Sequence, residues 1–173
     1  MVSFWECAFM ANELYTRTNQ KIFYAGLALE ALGKAEESRA MNALALTQAE
    51  REAAVFHLYG ALLGLCPQAS APRAELLLTR EVLEAIAIPE MAELVELAHS
   101  PQTWLARLIA AHNALYLPPQ APRKPKGDVL QPLIEAVSLD AEAAPELGRE
   151  ELESWRQNLK VLAIRFRDGL SEC

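Results

Sequence analysis

A carboxylate on the apolar face of a helix is the first residue in this sequence whose position asks for a chemical explanation. Glu52 falls among Gln48, Val55, Phe56 and Tyr59 on the side that the segment 38–65 must bury. If Gly33 and Ser38 flank a tight turn, residue 52 comes to lie beside residue 19, with Thr18 and Asn19 across from it and Tyr15 one turn away. An unpaired charge in that place costs on the order of several kcal/mol, so the carboxyl must be hydrogen-bonded, paired or protonated. With a raised pKa it could hold a ligand or act as a general base. The structural alternative is a polar layer that fixes helix register. His112 is the second polar residue in an apolar arc, beside Trp104, Leu105, Leu108 and Ile109, and is expected to be a core histidine with one ring nitrogen satisfied. Tyr15, Thr18, Asn19, Gln48, Glu52, Tyr59 and His112 together form a candidate polar pocket between helices.

Other constellations carry less. Glu96-x-x-His99 has the carboxylate–histidine spacing of di-iron helical bundles, but such a site wants two of these motifs and inward carboxylates from two further helices. The apolar side of 89–99 also leaves Glu96 pointing away, so no metal and no cofactor are expected. There is no GxGxxG, P-loop, HExxH or GxSxG, and no spacing of Ser, His and Asp nominates a triad. No catalytic residue is assigned, and the chain is expected not to be an enzyme. Arg123, Lys124 and Lys126 read as a solvated basic spot, and Arg156, Lys160 and Arg167 as a solvated flank pairing with nearby glutamates.

The elements that position these residues are helices. Asn12 is an expected N-cap and Gly33 an expected stop, with Leu14, Tyr15, Thr18, Ile22, Ala25, Gly26, Leu29 and Leu32 on one arc. The short connection to Ser38 forces the first two helices antiparallel, as an αα-hairpin. Pro67 ends the second helix. A third is expected over 72–87 and a short one over 89–99, with Met91, Leu94, Val95 and Ala98 on its apolar side. Ser100-Pro101 reads as a cap and first-turn proline for a helix to Leu117. Residues 118–127 hold four of the ten prolines and read as an exposed loop. A short helix over 128–138 and a last one over 149–168 complete the expectation. The fold class is all-α: a single-domain bundle of five to seven helices over 10–173, built on the N-terminal hairpin.

Composition agrees. Alanine (30) and leucine (28) make up a third of the 173 residues, against 13 valine plus isoleucine, and the β-branched residues are what strands want. A net charge of −7 argues against nucleic acid or an anionic membrane surface as partner. Three cysteines at 7, 66 and 173, without a CxxC pair, fit a reduced, cytoplasmic protein. Residues 1–9 (MVSFWECAF) lack a basic n-region and contain Glu6, so they read as a lead-in or upstream start, or as an apolar arm that docks through Phe4, Trp5 and Phe9.

The runs MANELYTRTNQKIFYAGLALEA and AMNALALTQAEREAAVFHLYGALLGLC, within residues 10–66, resemble an uncharacterised bacterial family of small all-helical proteins classed as a domain of unknown function. The resemblance implies a cytoplasmic bacterial protein and brings no catalytic residue. Two functions stay open on the sequence. One is a non-enzymatic bundle that binds another protein or itself; the other is a small-molecule binder or enzyme with a polar pocket around Glu52.

Overall fold

The computed structural model describes residues 4–65, 89–116 and 147–171, with side chains over 15–65, 92–116 and 147–168. Within these residues the protein is all-helical: α1 (Phe4–Glu37), α2 (Ala43–Leu65), α3 (Pro89–His99), α4 (Trp104–Ala114) and α5 (Arg149–Ser171). The helices expected over 72–87 and 128–138, and the Pro-rich 118–127 loop, lie outside the described residues.

Helices α1 and α2 pack as an antiparallel hairpin, and α5 closes against both. The shared core is built from Leu29 and Leu32 of α1, Val55, Leu58 and Leu62 of α2, and Leu152, Trp155, Leu159 and Leu162 of α5. Burying one such side chain contributes roughly 1.5–3 kcal/mol, so this seam carries most of the hairpin's stability. Helix α4 adds Leu105 and Leu108, and α3 adds Leu94. Helix α3 packs mainly on α4, which in turn rests on α2 and α5.

Two helix boundaries differ from expectation, and the difference moves a residue of interest. Helix α1 starts at Phe4, so Asn12 is inside it and is not its cap, and it runs one turn beyond Gly33 to Glu37. A helical glycine costs only about 1 kcal/mol, less than the packing that holds α1 on α5. At the other side of the turn Ser38 is not yet helical. Its hydroxyl accepts from the Ala40 amide (3.1 Å), and α2 begins at Ala43. The hairpin register therefore slides by about two and a half helical turns. Thr18 faces Ala61 and Gly64, Lys21 faces Gly60, and Tyr24 faces His57. The tightest approach is at Gly64, where any Cβ would collide with Thr18 Oγ1.

The cap of α4 also moves. Thr103, not Ser100, precedes the first helical residue, and its Oγ1 accepts from the Ala106 amide (3.2 Å). Its hydroxyl also points back to the carbonyls of Leu97 and Ser100, tying the end of α3 to the start of α4. Both expected faces survive: Leu94 is buried with Val95 and Ala98 partly so, and α5 buries Leu152, Trp155, Leu159, Leu162 and Ala163.

Along the α1–α5 seam two glycines of α1 lie beneath arginines of α5. Arg156 crosses Gly26, leaving 2.9 Å from Nη2 to where a Cβ would stand, and its Nε donates to the Ile22 carbonyl (3.1 Å). Arg149 lies over Gly33 in the same way and reaches Glu36 at 3.4 Å. The space beside Gly26 is thus taken by a guanidinium that caps a backbone carbonyl.

Candidate functional site

The sequence-nominated polar residues do not converge on one pocket. Glu52 is exposed and accepts a hydrogen bond from Gln48 Nε2 at 2.8 Å, one turn back on the same helix. This corrects the expected burial of Glu52: α2 packs through Ala54, Leu58, Ala61 and Leu65, a face that leaves residue 52 outside, and the register that set it beside Asn19 assumed a turn at 33–38. The real turn at 37–43 brings residues near Ala61 opposite Thr18 instead. Gln48 is exposed with it, and Asn19 is half-buried on α1. Thr18 is buried, its Oγ1 donating to the Ala61 carbonyl at 3.5 Å, as a helix-contact residue. Tyr15 stands at the other end of the α1–α5 seam, where Arg167 Nη1 donates to its hydroxyl (3.3 Å) and the guanidinium lies 5.4 Å from the ring centre.

Apart from Gln48 and Glu52 on one helix, only Tyr59 and His112 meet among these residues. Their rings stack at 3.5 Å between centres and 6° between planes, joining α2 to α4. His112 is 4% exposed, as a core histidine should be. Its Nε2 lies 3.4 Å from Tyr116 Oη, one turn on, and Nδ1 has no hydrogen-bond partner among the described residues. Burial pushes this imidazole below its ordinary pKa of 6.5. A neutral ring surrounded by tyrosines and leucines is a packing element with one long polar contact.

A second aromatic cluster was missed by the sequence reading. It covers the outer side of the α1–α2 hairpin. Phe23 is 59% exposed and Leu27 48% on α1, with Tyr24 at the margin, and Phe56 of α2 is 48% exposed. Gln20 Nε2 donates to Tyr24 Oη at 2.9 Å. Tyr24 and Phe56 each place a ring centre 5.4 Å from that of His57, and the Lys21 ammonium stands 5.1 Å from the centre of the Phe56 ring. Burial and the neighbouring Lys21 charge both lower the His57 pKa. The signal was present: Phe23, Tyr24 and Leu27 are large apolar residues that fall off the arc α1 uses for its core. Phe56 was expected inside, but α2 packs through Leu58, Ala61 and Leu65, a face that leaves Phe56 outward.

Among the described residues no group of three His, Cys, Asp or Glu side chains could hold a metal ion. His99 turns its Nδ1 to the Val95 carbonyl (2.7 Å), and Glu96 is exposed. No helix of the described residues is long and apolar enough to cross a membrane. The rims carry ion pairs between elements: Arg165 grips Glu93 through two hydrogen bonds (2.9 and 2.7 Å), and Arg107 reaches Glu151.

No curated protein sequence and no solved structure matches the chain. A family model does, from residue 10, past the first nine residues, through residue 173, and the chain belongs to that family, a family of unknown function (DUF6586).

Proposed function

We propose that this is a non-enzymatic helical-bundle protein that acts by binding another protein, a second copy of itself included, through the outer face of the α1–α2 hairpin. The observation that supports it most is the exposure of Phe23, Leu27 and Phe56 together on one face, with Tyr24 and His57 packed between them. Single exposed apolar residues are ordinary, but a contiguous aromatic patch on two adjacent helices is the kind of surface that docks a partner. Aromatic side chains supply large contact area at low entropic cost, and a ridge spaced i, i+4 along α1 suits the apolar face of a partner helix. A reduced, cytoplasmic setting goes with this proposal, on the count and spacing of the cysteines.

Native mass spectrometry of the protein purified from its source tests this. The expected result is a mass of the chain plus a second polypeptide, lost when Phe23→Ser and Phe56→Ser are combined. A monomeric chain carrying a small molecule, unchanged by the double substitution, would overturn it.

A further inference from the structure

The Tyr59–His112 stack joins α4 to α2, and α3 reaches the rest of the bundle chiefly through α4. We propose that this stack is a pH-sensitive latch: it holds the α3–α4 pair against α2 while the His112 ring is neutral and releases the pair when the ring takes up a proton. The inference is independent of the docking surface proposed above, which uses Phe23, Leu27 and Phe56 and neither ring of the stack.

Among the described residues the geometry gives a protonated ring one distant acceptor for its two N–H groups. An imidazolium donates from both nitrogens. Here Nε2 has one long contact, to Tyr116 Oη, and among the described residues Nδ1 has none. Among the described residues no charge compensates. The titratable group facing His112 from α2 is the Tyr59 phenol, and from α4 itself Tyr116. On α3, Glu93 is held by Arg165, and Glu96 and His99 are exposed. On α5, Glu151 is taken by Arg107. Glu52 of α2 is bonded to Gln48 at the surface. Burial alone sets the direction in which the imidazole titrates, with no neighbouring charge contributing. A buried cation without a partner is expelled or hydrated, and either requires α4 to move off α2.

What remains can stand without α3 and α4. Helices α1, α2 and α5 share their own core through Leu29, Leu32, Leu58, Leu62, Trp155 and Leu159, with contacts between every pair. Release would uncover Tyr59, Leu105 and Leu108, which are buried at neutral pH. The device is therefore a sub-global opening, with the hairpin and α5 staying folded.

Hydrogen exchange read by mass spectrometry, corrected for intrinsic rates, tests it on the full chain between about pH 7.5 and pH 5.5, the range in which a histidine can act. The amides of Trp104–Ala114 should lose protection by roughly tenfold for each pH unit below the free imidazole value, while those of α1 and α2 keep theirs. In His112→Phe, which keeps a ring on Tyr59 but cannot be protonated, protection of α4 should not change with pH. Equal loss in the wild type and His112→Phe, loss in α1 and α2 at the same pH, or no loss anywhere would overturn the proposal. Should His112→Phe fail to fold, the His112 ring is titrated by NMR in the wild type. A midpoint below that of an exposed histidine and coincident with α4 opening supports the latch, and an ordinary midpoint with α4 still protected contradicts it.

Discussion

Phe56 and Tyr59 stand one turn apart on α2, yet Tyr59 is buried in a stack with His112 while Phe56 is half exposed beneath the Lys21 ammonium. The same division runs through the two histidines. His112 is enclosed by α2 and α4, and burial alone depresses its pKa; His57 lies in an outward cluster, and the Lys21 charge adds to the effect of burial. One face of the hairpin is thus committed to the fold, closed by α4 and α5. The other keeps an aromatic surface that folding does not use. Core packing explains the first in full. It offers no reason for the second, and a docking role does.

Substitutions should separate the faces by size of effect. The largest belongs to the inner seam: Trp155→Ala, at a side chain 2% exposed in the middle of α5, should lower stability by about 3–5 kcal/mol in urea unfolding. Gly64→Ala comes next, at about 1–3 kcal/mol. The added methyl collides with Thr18 Oγ1 and stands 3.3 Å from the Thr18 Cβ, so the hydroxyl must turn away and the buried Thr18 must give by a few tenths of an ångström. Should Gly64→Ala unfold at the wild-type urea midpoint, the close α1–α2 approach at Thr18 is wrong.

Acid should act on both faces through the histidines, in one direction. Both folded-state pKa values lie below the ordinary 6.5, so the unfolded chain binds protons first. Their contribution to stability is full above that value and is lost as pH falls from it through the folded pKa values. Urea midpoints measured from neutral to mildly acidic pH should therefore decline, and the decline should be smaller in His112→Phe.

The outer side should be nearly silent in stability. Glu52→Gln leaves an exposed side chain that can still bond Gln48, so its urea midpoint should move by no more than about 0.5 kcal/mol. A large loss would restore Glu52 to a buried role.

How much of this was legible beforehand varied with the physics involved. The inward faces of α3 and α5 follow from apolar periodicity alone, since Leu94 and Val95, and Leu152, Trp155, Leu159 and Leu162, recur at helical spacing. The turn after α1 did not. Gly33 and Ser38 have the chemistry of a helix stop and start, but Arg149 packs on Gly33 and the helix continues to Glu37. The turn error shifted only which residues face Thr18; Glu52 and Phe56 stand outward because α2 packs through Ala54, Leu58, Ala61 and Leu65. The Thr103 cap was obscured for a related reason: Ser100 with Pro101 is the better local signal, and the contacts of Thr103 with the end of α3 decide the matter. His112 was identified correctly as a core residue because its neighbours on α4 are apolar on every helical step.

The central claim, that the outer aromatic face binds a protein and does not hold the fold, is tested most directly by the Phe23→Ser/Phe56→Ser double variant in parallel urea unfolding and native mass spectrometry. Unfolding at the wild-type midpoint, together with loss of the second polypeptide that the wild type carries, is the expected result. A fall in stability comparable to that of Trp155→Ala, or an association mass that survives the double substitution, would contradict it.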